Sequence, residues 1–366
     1  MTLRDRINPH IRDLEPYQPG KPLEELEREL GIQDSVKLAS NEHPVGASPR
    51  VIEAIQACAS EAVHRYPDGA SFALRNALSD RLGVDPDQLV FGCGADELLE
   101  LLAKTLLAPG DTVVYPWPSF AMYPIVVQGM GARGVPVSLD AGFGHDLPAM
   151  AAAIGSETKM VIVCNPNNPT GTSIGASAFD EFMERVPADV VVAVDEAYGE
   201  FAAREDFPDS LAWVNRRPGT IVLRTFSKAY GLAGLRVGYG IADAEFAGYL
   251  QRARHPFNIN RIAEVAALAA LEDKGYLAET VESNARGRET LTRELSAMGC
   301  EVWPSDANFV LARTGADVYD PLLREGVIVR PLGGFGLPDC VRITVGTAEA
   351  NERVIKALRR IREEAS

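Results

Sequence analysis

Short apolar runs alternate with longer amphipathic stretches over most of the chain, which predicts an α/β layered fold. Runs such as residues 160–163 are apolar at consecutive positions, which is typical of strands buried on both faces of a mostly parallel sheet. Helical stretches, for example 95–107, 120–129 and 176–185, separate most of the strand candidates. The strand candidates are residues 88–92, 112–115, 134–139, 159–164, 189–195, 220–224 and 236–241.

The pattern changes after residue 272. A long amphipathic helix at about 278–298 is followed by shorter strands and two helices, which predicts a smaller α+β domain. We therefore expect a large domain at 37–272 and a small one at 273–366. Residues 1–36 are polar and contain several prolines, so they are interpreted as an N-terminal arm that packs with the small domain or a partner subunit. The elements expected in these two regions are a helix at 23–30, strands at 308–312, 327–330 and 340–345, and helices at 318–325 and from 348.

Composition and charge narrow the class of protein. The 366 residues are 46% hydrophobic and 24% charged, as in ordinary globular proteins, and the net charge of −15 argues against nucleic acid or an anionic membrane as partner. The first residues lack the apolar core of a signal peptide, and no apolar run is long enough to span a bilayer. Five cysteines without a Cys-x-x-Cys pair indicate reduced thiols in the cytoplasm. The five histidines show no ligand spacing, so we expect no metal.

Lys228 follows the apolar run 220–224 and precedes several small residues, which let the backbone approach a bulky group closely. Burial lowers the pKa of a lysine, and the neutral amine forms Schiff bases with carbonyl compounds or pyridoxal phosphate. The hydroxyls of Thr225 and Ser227 and the guanidinium of Arg236 are groups that bind phosphate. Together they predict a site for an aldehyde that carries a phosphate. A surface lysine in a basic loop is the alternative.

Two further motifs follow predicted strands, at the sheet edge where open parallel sheets bind ligands. The glycines of 92–97 permit a tight turn, and the amides of Ala95 and Asp96 at a helix start could bind a phosphate. A plain strand-to-helix turn is the alternative there. The two prolines of 165–171 fix the backbone so that the side chain of Asn168 can be aimed, although such a loop can also be a simple rigid turn.

The third motif is Asp195-Glu-Ala-Tyr198. A carboxylate at the end of an apolar strand is costly unless it meets a cation. If the chain turns helical after the strand, Tyr198 projects to the same side as Asp195. A pyridinium nitrogen for Asp195 and a ring oxygen for Tyr198 would satisfy both side chains. The alternative is a helix-capping aspartate beside a packing tyrosine.

The order and spacing of these motifs resemble the fold-type I pyridoxal-phosphate aminotransferases and, among them, the histidinol-phosphate aminotransferases. The resemblance runs from about Arg12 to the final helix. It implies pyridoxal 5'-phosphate as cofactor, a fold-type I transferase with a large domain of mostly parallel sheet and a smaller α+β domain, and a homodimer. The motifs are Asn-Pro-Thr-Gly at 168–171, Asp-Glu-Ala-Tyr at 195–198, Ser-Lys at 227–228 and Arg236, with supporting stretches at 16–22, 38–42, 65–68, 94–97, 227–236, 326–330 and 341–346.

The resemblance also implies roles for the site residues. Lys228 would carry the cofactor and then act as general base, and Asp195 would keep the pyridine nitrogen protonated. Tyr198 and Asn168 would hold the ring 3'-oxygen. Phe120 stands where the family usually places a tyrosine stacked on the cofactor, so it keeps the aromatic face without the hydroxyl. The cofactor phosphate would be bound by Thr225, Ser227, Arg236, the amides of Ala95 and Asp96, and the partner subunit's Tyr66.

The substrate side of the site is assigned by the same resemblance. Arg342 would bind the anionic end of each substrate, with Arg330 as a second cation nearby. Tyr17 would close over the substrate side chain, and Asn41 would also contact the substrate. For both arginines the alternative is an ion pair on the surface or between strands.

The expected reaction is amino transfer between L-histidinol phosphate and 2-oxoglutarate, in histidine biosynthesis. An aromatic amino-acid aminotransferase, acting on phenylalanine or tyrosine, is the alternative that Phe120 leaves open. A lyase or decarboxylase with the same cofactor is disfavoured by Arg342, whereas a catalytically silent cofactor-binding sensor stays open. A nicotinamide-binding α/β protein would explain the alternation but not Lys228, Asp195 and Arg236 together.

Overall fold

The computed structural model describes residues 2–315 and 317–364, and these residues form two β-sheets. The larger has seven strands in the order β2-β8-β7-β6-β5-β3-β4, and the smaller has five in the order β1-β11-β12-β10-β9. The strands are β1 Val36–Leu38, β2 Leu89–Gly92, β3 Thr112–Trp117, β4 Arg133–Ser138, β5 Thr158–Cys164, β6 Val191–Asp195, β7 Thr220–Thr225, β8 Gly238–Ala242, β9 Glu301–Val302, β10 Phe309–Arg313, β11 Val327–Pro331 and β12 Cys340–Thr344.

Helices cover both sheets. No helix in the described part of the chain is both long and apolar enough to cross a membrane. The helices are α1 Leu3–Arg6, α2 Pro9–Arg12, α3 Leu23–Leu30, α4 Pro49–Glu61, α5 Phe72–Leu82, α6 Gly94–Leu106, α7 Met122–Gly129, α8 Leu147–Ala152, α9 Ala176–Arg185, α10 Ser210–Arg216, α11 Ala244–Ala253, α12 Arg261–Glu272, α13 Lys274–Ala297, α14 Tyr319–Arg324 and α15 Ala348–Glu364.

The seven-stranded sheet is mostly parallel, as predicted. Strands β3 to β7 run parallel to one another, and β8 is antiparallel to both of its neighbours, β2 and β7. All seven strands that the sequence predicts for this sheet are present, and their ends differ from the predicted ones by at most two residues. The predicted mixed α/β fold with one large, mostly parallel sheet is therefore confirmed.

The continuous apolar runs are buried on both faces because helices pack on each side of the sheet. Along β5, Met160 and Ile162 pack into one core with helices α6, α7 and α11. Val161 and Val163 point the other way, into a core formed with α4, α5, α8, α9, α10 and α12. Successive side chains of a strand alternate between faces, so a strand with a core on each side needs apolar residues throughout.

The smaller sheet is antiparallel except for β1, which runs parallel to β11. Its core is closed by α13, α14 and α15. Helix α3 has the predicted bounds, and its Leu26 packs against Leu323 and Ile328 of this part of the molecule. The sequence starts the large domain at residue 37, yet β1, which contains that residue, is paired into the smaller sheet. The predicted domain division itself stays a prediction.

Parallel pairing brings the polar strand ends together at one edge of the large sheet. Cys164 of β5 is the register partner of Asp195 in β6, and Asp195 is in turn the partner of Leu223 in β7. The loops that follow β5, β6 and β7 therefore begin next to one another. This edge is where open parallel sheets bind their ligands.

Candidate active site

A cavity of about 410 Å³ lies at this edge. It unites all the predicted site residues apart from Tyr66 and Arg330. The predicted residues that line it are Tyr17, Asn41, Ala95, Asp96, Phe120, Asn168, Asp195, Tyr198, Thr225, Ser227, Lys228, Arg236 and Arg342.

Lys228 stands in the wall of the cavity, three residues after the end of β7. Its Nζ donates a hydrogen bond to the backbone oxygen of Ser40 at 3.3 Å and lies 5.7 Å from the centre of the Tyr198 ring. Burial and the nearby Arg342 lower the pKa of Lys228 to about 8. The amine is therefore neutral in an appreciable fraction of molecules near neutral pH, which a nucleophile or a proton acceptor requires.

Asp195 is 4% exposed and has two hydrogen-bond donors. Tyr123 donates to Oδ2 at 2.7 Å, and the amide of Ala197 donates to Oδ1 at 3.1 Å. Burial raises the pKa of Asp195 to about 6, and these two hydrogen bonds act in the opposite direction. Over residues 2–315 and 317–364, no ion pair with Asp195 is found. A buried carboxylate without a cation is suited to a positively charged group bound in the cavity, such as a protonated ring nitrogen.

Tyr123 is a site residue that the sequence does not single out. Its ring is fully buried on α7, and Phe120 contacts it edge-on with the ring centres 5.7 Å apart. The sequence shows two aromatic residues, Phe120 and Tyr123, three positions apart, but this spacing does not say that the Tyr123 hydroxyl reaches Asp195. Tyr123 does not itself line the cavity. The lining residues to which the sequence assigns no role are Ser40, Glu42, Met122, Cys164, Ala197, Ala233 and Gly234.

One end of the cavity is lined by hydroxyls. The Thr225 hydroxyl donates to Ser227 Oγ at 2.9 Å and accepts from the Ser227 amide at 3.1 Å. Beside them, Arg236 forms an ion pair with Asp96 of α6, with 3.0 Å between Nη2 and Oδ2. The first turn of α6 begins at Gly94, so its free amides lie close to the arginine and the hydroxyls. Such donors form a cradle for a phosphate group.

Glycines allow the close packing at this end. A side-chain carbon added at Gly238 of β8 would lie 2.7 Å from the Ala95 nitrogen, and one at Gly94 would lie 2.6 Å from Arg236 Nη2. Both distances are too short for a real contact. The start of α6 can therefore reach the cradle only because these two positions lack a Cβ.

The opposite wall comes from the smaller sheet. Arg342 of β12 is 7% exposed and donates to Asn168 Oδ1 and to the Ala39 oxygen, both at 2.5 Å, while its buried Nε has no hydrogen-bond partner. Asn41 donates to the Tyr198 hydroxyl at 2.8 Å and accepts from Thr344 at 3.0 Å. The cavity therefore lies between the two sheets, with a buried arginine on one side and Lys228 on the other.

Tyr66 and Arg330 lie outside the cavity. Tyr66 is 78% exposed and stacks on Phe257 with 4.7 Å between ring centres, in a separate surface pocket. Arg330 of β11 is the register partner of Arg342, and its guanidinium carbon lies 5.8 Å from the centre of the Tyr17 ring. The assignments of Tyr66 to a neighbouring subunit's site and of Arg330 to the substrate both stay predictions. Across the described residues, no group of three His, Cys, Asp or Glu side chains is arranged to hold a metal ion.

The chain is similar to known proteins over its whole length. Residues 33–358 match the model of the family described as aminotransferase class I and II. "Histidinol-phosphate aminotransferase 2" of Methylococcus capsulatus is 48% identical over 99% of both chains, and a protein of that name from Pseudomonas aeruginosa is 48% identical over 96% of both. A solved histidinol-phosphate aminotransferase from Sinorhizobium meliloti, in complex with pyridoxal-5'-phosphate, superimposes with a TM-score of 0.91 at 31% identity, covering 99% of this chain and 98% of its own. The chain belongs to the class I and II aminotransferase family.

Proposed function

We propose that the protein transfers an amino group between L-histidinol phosphate and 2-oxoglutarate, with pyridoxal 5'-phosphate as cofactor. The observation that carries this proposal is the pairing, in one cavity, of a lysine of lowered pKa with a buried aspartate that lacks a cation. The names of the relatives at 48% identity favour histidinol phosphate as the amino donor over phenylalanine or tyrosine.

The cavity fits the cofactor at both of its polar ends. Asp195 would hold the protonated ring nitrogen, which offers that buried carboxylate the cation it lacks. The hydroxyls of Thr225 and Ser227, the guanidinium of Arg236 and the first amides of α6 would hold the phosphate. When bound, pyridoxal phosphate supplies an electron sink for the carbanion formed at the substrate Cα.

Lys228 would move the proton. Its neutral amine accepts a proton from the substrate Cα, and its protonated form returns that proton on the other side of the transfer. Such general acid–base catalysis contributes about 10²–10⁴-fold to a rate. With a pKa of about 8, Nζ can both accept and release a proton near neutral pH.

Arg342 would bind the two different substrates in turn. The planar guanidinium forms paired hydrogen bonds with a carboxylate or a phosphate, so one arginine can serve glutamate and histidinol phosphate. Within residues 2–315 and 317–364 it forms no ion pair, and its Nε is unpartnered, so the buried charge is available to an anionic substrate. Tyr17, partly exposed at the same cavity, would cover the substrate side chain.

The test is a steady-state comparison of amino donors with 2-oxoglutarate as acceptor. We expect kcat/KM for histidinol phosphate to exceed the values for phenylalanine and tyrosine. Lys228→Ala is expected to lose at least about 10²–10⁴-fold in rate with every donor, while Lys159→Ala, at an exposed position of β5, serves as the matched control. A higher kcat/KM for an aromatic donor would contradict the substrate, and comparable turnover by Lys228→Ala would contradict the mechanism.

We also propose a homodimer in the cytoplasm. An exposed Tyr66 stacked on a partly exposed Phe257 offers an aromatic surface that a second copy could cover. All five cysteines are free thiols, which suits a reducing compartment.

A further inference from the structure

An ion pair between Glu196 and Arg224 joins the ends of strands β6 and β7, beside the cavity. Glu196 follows Asp195, and Arg224 precedes Thr225 in β7. Arg224 Nε and Nη2 donate to the same oxygen, Oε2 of Glu196, at 2.9 and 2.8 Å. The Glu196 side chain is 1% exposed, and its Oε1 has no hydrogen-bond partner. The Arg224 side chain is 23% exposed, so the pair is shielded from water mainly on the Glu196 side, where the charges interact more strongly than on an open surface.

Neither residue belongs to the cavity wall. Asp195 and Thr225 line the cavity, whereas the neighbouring side chains of Glu196 and Arg224 do not. The pair cannot act on a ligand by contact, so it can affect the site only by holding the neighbouring residues in place and through the electric field of its charges.

The pair extends the β6–β7 ladder by one step. The last register partners are Asp195 and Leu223, and the Glu196 amide still donates to the Leu223 oxygen at 2.9 Å. Among the residues that the structure describes, these two strands have no backbone pairing beyond that point, and the side chains of Glu196 and Arg224 continue the connection. This link connects the segment of Asp195, which is expected to bind the ring nitrogen, with the segment of Thr225 and Ser227, which are expected to bind the phosphate.

Other charged and titratable groups surround the pair. Glu200, in the turn after Tyr198, has a buried Oε2 without a partner, and burial raises its pKa to about 7 while Arg224 acts against that rise. Tyr239 of β8 is the register partner of Arg224. The groups that act electrostatically on this cluster are Glu196, Glu200, Arg81, Arg224, Tyr230 and Tyr239.

We propose that Glu196 and Arg224 are positioning residues that fix the separation of Asp195 from the Thr225–Lys228 segment, and thereby set the affinity for the cofactor. This inference rests on the proposed function, because it assumes that pyridoxal phosphate binds in the cavity. A pair that clamps two strand ends aligns both ends of a bound ring. Losing Arg224 leaves the buried Glu196 carboxylate unpaired, and losing Glu196 leaves the partly buried Arg224 unpaired, and either change disturbs the strand ends.

The experiment compares Glu196→Gln, Arg224→Gln and the double variant with Arg217→Gln. Arg217 is the matched control, because it is a buried arginine in the turn before β7 that donates to the backbone oxygens of Pro187 and Val190. The first readout is the dissociation constant of pyridoxal phosphate. We expect each single variant at the pair to weaken binding roughly tenfold or more. We expect the double variant to lose less than the sum of the two single variants.

The second readout is the pH midpoint of the bound cofactor's absorbance. A nearby negative charge favours the protonated, cationic form at Lys228, so Glu196→Gln should lower the midpoint and Arg224→Gln should raise it. A purely structural defect would not move the two midpoints in opposite directions. Arg217→Gln should lower the melting temperature and leave the midpoint unchanged.

The outcomes separate the two proposals. If the wild-type protein does not bind pyridoxal phosphate, the proposed function fails. If the wild type binds but Arg224→Gln and Arg217→Gln weaken binding equally, or the pair's losses are additive, the positioning role is overturned. Should Arg224→Gln not fold, Arg224→Lys keeps the charge but loses the paired donors, and unchanged cofactor affinity in that variant would also overturn the proposal.

Discussion

At the scale of single residues, the site holds two ionisable groups whose surroundings shift them in functionally useful directions. Burial lowers the pKa of Lys228 to about 8 and raises that of Asp195 to about 6. Both shifts disfavour the charged form, so both groups cost folding free energy when the cavity is empty. A bound cation beside Asp195 would remove part of that cost, which couples cofactor binding to stability.

Asp195→Asn should therefore stabilise the cofactor-free protein above pH 6. The folded-state pKa of Asp195 lies above its ordinary value of 3.8, so its contribution to stability is fully present below pH 3.8 and is lost as pH rises through about 6. A difference of two pKa units corresponds to about 3 kcal/mol. We expect the variant to gain up to that much at pH 8 and nothing near pH 4.

Urea unfolding of the cofactor-free protein at several pH values measures this gain. Asp209→Asn is the control, because Asp209 caps α10 at an exposed position and asparagine caps equally well. The same Asp195 variant should lose turnover, since a neutral amide cannot hold a proton on the ring nitrogen. Equal stability of Asp195→Asn and wild type at pH 8 would show that the carboxylate is not destabilising.

At the scale of elements, the site depends on how closely helix α6 approaches strand β8. A Cβ added at Gly238 would lie 2.7 Å from the Ala95 nitrogen and 2.8 Å from the Gly94 carbonyl carbon. Any side chain there must push the helix start away from the strand. The expected phosphate site includes amides of that first turn. Any side chain at Gly238 that moves the turn should therefore also weaken phosphate binding.

Gly238→Ala should weaken cofactor binding and lower stability by roughly 1–3 kcal/mol, the usual cost of overpacking. Gly248→Ala is the matched control, because Gly248 lies in α11 with nothing within 4 Å of an added Cβ. That control should gain roughly 0.5–1 kcal/mol from helix propensity. Cofactor titration and thermal melting measure both effects, and unchanged affinity in Gly238→Ala would show that the helix start is not part of the phosphate site.

At the scale of the whole molecule, the two sheets face each other across the cavity. Tyr66, which is predicted to complete the site of a neighbouring subunit, lies outside this cavity. Arg342 from the smaller sheet donates a hydrogen bond to Asn168, in the turn after β5 of the larger sheet, so the cavity forms only when both parts are folded together. Tyr66 is exposed on the outer surface, away from its own chain's cavity. A homodimer in which Tyr66 reaches the neighbouring cavity would explain both positions.

Mixing the Tyr66→Ala and Lys228→Ala variants tests this arrangement. In a mixed dimer one site contains both mutations and the other contains neither, so random exchange should restore about one quarter of wild-type activity. Mixing each variant with itself is the control and should restore nothing. A fully active monomer in sedimentation, or no recovery on mixing when subunits have exchanged, would contradict the arrangement.

The sequence by itself determined the large sheet, some of its helices and most of the residues that line the cavity. Consecutive apolar positions identify strands with a core on each face, and the polar residue that ends each strand, such as Asp195 or Thr225, then falls at a common edge. Helix α9 has the predicted bounds because its apolar residues repeat with the helical period. These signals are local, so a pattern along the chain is enough to find them.

Only the tertiary structure decided which distant groups meet. The pairing of β1 with β11, the bond from Tyr123 to Asp195 and the bond from Arg342 to Asn168 join residues far apart in the chain. A three-residue strand does not specify its partner, and the position of Tyr123 in the sequence does not say that its hydroxyl faces a carboxylate. The ion pair of Glu196 with Arg224 is likewise invisible in the sequence, because its partners are brought together by strand pairing and by the exclusion of water.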